Sequence, residues 1–147
     1  MSAYVDTSYL VALYVPNDHT AAALRHRGNE TQEPIIFTPL HRLELRTVTR
    51  QCVYAGFISQ ADCRSILRHI EGDLEDGTLV HQPLKWVETL RRAEAIAGRR
   101  ATAMACRSLD LWHVAVACEM EAEAFVTFDR DQCALAKAEG LRASVPS

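Results

Sequence analysis

The sequence predicts an α/β fold, a single domain spanning residues 1–147 and built as an α/β/α sandwich around a central parallel β-sheet. Two observations carry that prediction. Short apolar runs rich in β-branched residues alternate with longer runs of helical periodicity, the pattern of strands joined by helical crossovers. The length of 147 residues suits one hydrophobic core, and a composition of 48% hydrophobic against 24% charged residues excludes a disordered chain.

Each element has its own local reason. Ala3–Asp6 (AYVD) reads as a short buried strand, and Thr7 or Ser8 then caps a helix that runs through Tyr14 and stops at Pro16. A second helix is expected from Asp18 to about Arg27, ended by Gly28. Pro34–Thr38 (PIIFT) is a β-branched strand. Leu40–Tyr54 is helical with Gly56 as its stop, and Ser59 opens another helix that reaches about Asp73. Thr78–Gln82 (TLVHQ) is a weaker strand, followed by a helix over Leu84–Ala97 that Gly98 ends. A helix from Ser108 to Glu121 begins within RSLDLWHVAVA and is apolar on nearly every side. Ala124–Phe128 (AFVTF) is the clearest strand. Arg130–Glu139 is helical, and Leu141–Val145 closes the chain as a last strand. In such sheets ligands bind beyond the carboxyl ends of the strands, so the residues just after each strand are the ones to inspect.

Composition narrows the function classes. The five cysteines are odd in number and none lies two or three residues from another, which disfavours both a disulfide framework and a zinc cluster. The six histidines are scattered and form no HExxH or HxH pair. Nineteen acidic residues against 16 basic leave a net charge of −3, so bulk charge does not announce nucleic-acid binding. Handling nucleic acid would then require a local basic surface or a bridging metal. No apolar run approaches the roughly 20 residues of a membrane span, and the N-terminus lacks the basic region of a signal peptide. A cytoplasmic protein is expected.

Four acids stand in unusual places. Asp6 ends the first strand, and read alone it is a strand-to-helix turn acid favoured by the helix dipole. Glu44 falls on a helical wheel between Leu40 and Val48, with Arg42, Arg46 and Thr49 opposite. An acid in that arc has to pair with an arginine, hold a metal or face a wet cleft. Asp110 follows Ser108, read as the N-cap, and would occupy N2 of a helix whose body is core. Asp129 follows AFVTF as Asp6 follows the first strand, and it also reads as an N-cap; Asp131, two residues on, either joins the site or faces solvent. Strand ends gather along one edge of a parallel sheet, so these acids can converge. Clustered carboxylates repel unless a cation relieves them, and an all-oxygen set without His or Cys suits Mg²⁺ or Mn²⁺. Such a site suits phosphodiester hydrolysis.

The segments VDTSYLVAL, TPLHRLELRTVTR, RSLDLWHVAVA and AFVTFDRD, in this order and spacing, resemble the PIN-domain ribonucleases, and within them the VapC-type toxins of toxin–antitoxin pairs. The resemblance covers essentially the whole chain. It implies a homodimer, Mg²⁺- or Mn²⁺-dependent endonucleolytic cleavage of RNA, and a cognate antitoxin whose tail blocks the cleft. Position by position, Asp6, Glu44, Asp110 and Asp129 match the acidic metal-binding quartet, and Ser8 and Thr127 match supporting hydroxyl positions. His113, three residues after Asp110, reads as a hydrogen-bonded core histidine or a proton shuttle, and a metal-dependent mechanism does not require it. Arg99, Arg100 and Arg107 form a basic stretch that suits RNA phosphate, a solvated loop or an antitoxin contact. Two rival readings stand beside the ribonuclease. One is a phosphatase with an aspartyl nucleophile at Asp6, which wants a second acid where Ser8 stands. The other is a non-catalytic interaction module that uses the acids for pairing.

Overall fold

A computed structural model describes residues 2–29 and 33–147. The elements follow in the order β1 (Ala3–Val5), α1 (Thr7–Tyr14), α2 (Thr20–Asn29), β2 (Ile35–Phe37), α3 (Pro39–Tyr54), α4 (Gln60–Glu75), β3 (Leu79–His81), α5 (Trp86–Arg100), α6 (Ser108–Glu119), β4 (Ala124–Val126), α7 (Arg130–Ala138) and β5 (Arg142–Ser144). All strand pairs among the described residues are parallel, as the alternating pattern requires. They form a three-stranded sheet of order β1–β4–β5 and a two-stranded sheet β2–β3. The chain divides into two compact units. The first takes residues 1–6 and 84–146; the second takes residues 7–83.

In the first unit β4 lies between β1 and β5. Tyr4 and Phe125, opposite each other in the ladder, stack with ring centroids 5.5 Å apart and are both shut from solvent. Helix α6 is the buried element here: residues Leu111 to Ala117 are buried without interruption. That burial answers its all-round apolarity, since a helix without a polar face has nothing to offer water. His113 joins this core, with its Nδ1 2.6 Å from the Tyr4 hydroxyl, which agrees with a structural role. At the far end of α5, Arg99 and Arg100 both pair with Glu139, and Arg100 also donates to the Ala138 carbonyl (2.8 Å). They are therefore the last turn of a helix, not a loop.

In the second unit Tyr9, Leu10 and Ala12 of α1, Phe37 of β2, Leu45 of α3, Ile70 of α4 and Leu79 of β3 are fully buried. Helix α4 opens on a reciprocal cap. Ser59 Oγ accepts from the Asp62 N–H, and Asp62 accepts from the Ser59 N–H, both at 3.0 Å. Tyr14 donates to Asp73 over 2.5 Å; burial first, and then that carboxylate, push its phenol far above the ordinary range.

Several boundaries differ from expectation for identifiable reasons. Helix α2 starts at Thr20, because Asn17 Oδ1 accepts from the His19 N–H and Thr20 Oγ1 from the Asn17 N–H, forming a turn first. Gly28 and Gly98 end no helix: neither has the positive φ that Gly56, Gly77 and Gly140 adopt. The inward face of α3 is Leu40, His41, Leu45 and Thr49, while Glu44 and Val48, expected beside Leu40, are only half-buried. Thr49 returns its hydroxyl to the Leu45 carbonyl (2.7 Å), and His41 Nδ1 accepts from the Thr38 N–H (3.0 Å). Two polar side chains satisfied this locally pack as core residues.

Candidate active site

Strand register places the first acid. Val5 faces Val126, and the Asp6 N–H carries the β1–β4 ladder one step further by donating to the Val126 carbonyl (3.1 Å). Residue 127 therefore stands beside residue 6. The Thr127 hydroxyl donates to Asp6 Oδ2 over 2.6 Å, and both residues are buried, Asp6 at 2% exposure and Thr127 at 0%. The same hydroxyl oxygen accepts from the Asp129 N–H (2.9 Å). A hydroxyl both donates and accepts, so Thr127 links the first acid to the backbone of the last.

Asp129 is the N-cap of α7, as expected. Its Oδ1 accepts from the Asp131 N–H (2.9 Å) and the Gln132 N–H (3.1 Å), and Asp131 itself is exposed. Its Oδ2 faces Arg107 Nη2 at 3.8 Å. Asp110 differs by one position from expectation. Arg107, not Ser108, is the N-cap of α6, so Asp110 occupies N3 and its Oδ2 accepts from the Arg107 N–H (3.2 Å). The same Oδ2 lies 3.7 Å from Arg107 Nε. One exposed guanidinium thus stands between the Asp110 and Asp129 carboxylates.

Asp6, Asp110 and Asp129 are accordingly gathered in the first unit. Glu44 belongs to the second, half-buried on α3, where its Oε1 accepts from the Thr7 hydroxyl over 2.8 Å; Thr7 is the residue that follows Asp6 in the chain. Ser8 is half-buried in the first turn of α1.

Two contributions escaped the sequence reading. Gln132, buried at 2% exposure, donates from Nε2 to the Asp110 carbonyl (3.2 Å) and so ties the first turn of α7 to that of α6. An amide one turn inside a capped helix is a faint signal for such a strut. Arg107 was legible only as part of a basic stretch; its double pairing depends on two carboxylates that are 19 residues apart in sequence.

The donor chemistry is hard oxygen throughout: three carboxylates and one hydroxyl, the set that suits Mg²⁺ or Mn²⁺ rather than a soft metal. Arg107 shows that the Asp110–Asp129 pair attracts a cation. Among the described residues, no group of three or more His, Cys, Asp or Glu is already assembled to hold a metal ion. A metal would therefore have to displace the guanidinium and draw the carboxylates to itself.

The family model for the PIN domain matches residues 3–138. The chain belongs to the PIN domain family. PIN domains are generally nucleases, which supports a hydrolase acting on nucleic acid. No curated protein matches the sequence significantly. Among solved structures, VapC20 of Mycobacterium tuberculosis, described as a sarcin–ricin loop cleaving toxin, is similar with a TM-score of 0.68 and 16% identity, over 95% of this chain and 96% of that one. PAE2754 of Pyrobaculum aerophilum gives a TM-score of 0.63 and 19% identity over 97% and 89% of the two chains. FitAcB of Neisseria gonorrhoeae gives 0.62 and 12% over 99% and 96%. At these identities the likeness is one of fold. No described helix of this PIN-domain chain is long and apolar enough to cross a membrane.

Proposed function

We propose that this chain is a Mg²⁺- or Mn²⁺-dependent endoribonuclease and the toxin of a VapC-type toxin–antitoxin pair. The observation that carries the reading is the chain of links that joins Asp6 to Asp129 through Thr127, and Asp129 to Asp110 through Arg107 and Gln132. Family membership over residues 3–138, which spans parts of both units, supports treating residues 1–147 as one PIN-like domain. The names of the similar structures support the toxin role: one cleaves the sarcin–ricin loop and carries the VapC name.

In this reading Asp6, Asp110 and Asp129 bind the metal, and Glu44 is the fourth acid of the quartet, binding it or orienting the attacking water. A divalent ion bound there lowers the pKa of a water and neutralises charge on the scissile phosphate. The chain's own part is positioning. Thr127 holds Asp6 Oδ2, the α7 amides hold Asp129 Oδ1, and Gln132 fixes the turn that carries Asp110. Cleavage leaves a 5′-phosphate and a 3′-hydroxyl. RNA is the substrate, a cognate antitoxin protein the inhibitor, a homodimer the working form and the cytoplasm its place. Measuring cleavage of total RNA with and without EDTA tests the reading. Activity that requires Mg²⁺ or Mn²⁺ and disappears in Asp6→Asn and Asp110→Asn supports it; activity that survives either treatment overturns it.

The absence of an assembled metal group among the described residues favours one alternative, a PIN-fold interaction module without catalysis. Calorimetric titration with Mn²⁺ separates the two. Binding lost in Asp6→Asn belongs to the nuclease; no binding by a folded chain belongs to the module.

A further inference from the structure

The second unit carries a basic groove that the acid cluster does not use. Arg42, Arg46 and Arg50 follow one another at every fourth position of α3, so they form one row, each about 6 Å along the axis from the last. With Leu43 and Thr47 of the same helix and His81 at the end of β3, they line a cavity of about 330 Å³ whose lining contains no acidic residue. Glu71 of α4 stands beside the row. It holds Arg42 Nη2 at 2.7 Å and Arg46 Nη1 at 3.2 Å on a single oxygen, which orients two guanidiniums and cancels only one of three charges. Arg50 is exposed and has no ion pair among the described residues. Glu44 lies on another side of the helix, more than 90° of arc from any of the arginines.

We infer that this groove is a subsite for the sugar–phosphate backbone of single-stranded RNA, which rests on the ribonuclease reading and adds residues other than the acids that grip the substrate strand. A guanidinium presents a planar fork of donors matched to phosphate oxygens, and a hydroxyl such as that of Thr47 is a common phosphate donor. The remaining lining suits a nucleotide better than an acidic peptide. The flat His81 ring and the guanidinium planes offer faces on which unstacked bases rest, and Leu43, 65% exposed, offers an apolar edge. A second copy of the chain is a poor occupant, because a two-fold contact through this face sets the arginine row against itself.

Arg50 is the discriminating residue because, among the described residues, it holds no ion pair. The full chain is titrated in EDTA with a fluorescently labelled, mixed-sequence, single-stranded 12-nucleotide RNA, and binding is read by anisotropy at several salt concentrations. Wild type is compared with Arg50→Ala, Arg50→Glu and Arg50→Lys, whose melting temperatures are checked against it. The expected result is binding about 3- to 10-fold weaker in Arg50→Ala, weaker still in Arg50→Glu and only partly restored in Arg50→Lys, which returns the charge without the planar fork. The slope of log K against log salt falls by about 0.7 when that one phosphate contact is lost. Binding within twofold of wild type in a folded Arg50→Glu protein overturns the inference. So does displacement of the RNA by poly-glutamate at equal charge concentration, which assigns the groove to an acidic peptide. Parallel cleavage with Mn²⁺ keeps the two claims apart. A wild type that binds RNA through Arg50 but cleaves none retains the groove and loses the nuclease. A wild type that cleaves RNA, with binding indifferent to Arg50, does the reverse.

Discussion

Thr127→Val tests the link between the two strand-end acids. Valine keeps the shape and removes the hydroxyl, so the Asp6 carboxylate loses its 2.6 Å donor and the Asp129 N–H loses its 2.9 Å acceptor. Both losses fall where water cannot compensate, because residue 127 is fully buried and Asp6 nearly so. A hydrogen bond to a charged acceptor contributes about 1.5–3 kcal/mol and a neutral one about 1 kcal/mol, so the substitution costs about 2–4 kcal/mol. For a chain of this length that lowers the melting temperature by about 5–15 °C. Thr127→Ser is the control: it keeps the hydroxyl and gives up one methyl, at about 1 kcal/mol. Calorimetric melting of the metal-free protein reads both variants. If valine costs no more than serine, the hydroxyl does not hold the acids and the account of the site fails.

Two further outcomes follow from the same geometry. Arg107→Gln removes the cation that occupies the Asp110–Asp129 pair; two partly exposed ion pairs at about 0.2–1 kcal/mol each give Mn²⁺ binding roughly 2- to 30-fold tighter by calorimetry, and unchanged or weaker binding refutes the displacement idea. Burial raises the Glu139 carboxyl, but hydrogen bonds from Arg99 and Arg100 outweigh it and hold the group below the usual carboxylate range. The unfolded chain therefore binds that proton more readily. The contribution is present above about pH 4.3 and is lost as pH falls through the folded-state value, so Glu139→Gln is less stable than wild type at pH 7 and equal to it in strong acid.

What was legible in the sequence was local. The strands AYV, IIF and AFV are runs of apolar and β-branched residues, and Asp6 and Asp129 could be placed because the first directly follows AYV and the second stands three residues past the end of AFV. The Ser59 cap and the turn at Gly56 are signals that act within a few residues. What was not legible depended on partners distant in sequence or on local satisfaction of polar groups. Thr127 meets Asp6 only because β1 pairs with β4 in one register across 121 residues. Gln132 and Arg107 acquire their roles only when α6 and α7 begin side by side. The face of α3 was misjudged because His41 and Thr49 look polar in sequence but are paired within one helical turn. Gly98 looked like a stop, yet the Arg99 and Arg100 pairs with Glu139 anchor the turn beyond it.

The helix-cap and metal-ligand readings of Asp110 and Asp129 are not rivals. A carboxylate has two oxygens, and these acids divide the work. Asp129 commits Oδ1 to the α7 amides and turns Oδ2 toward the Arg107 guanidinium. Asp110 uses Oδ2 for the α6 cap and, among the described residues, has no partner at Oδ1. Capping fixes the direction of the carboxylate, and fixing it with one oxygen leaves the other available to a cation. The buried body of α6, Leu111 to Ala117, then holds the carboxylate steady. Asparagine at either position keeps an acceptor for the cap and gives up the charge. Asp→Asn therefore separates the two roles: a purely structural acid tolerates it, and a metal-binding one does not.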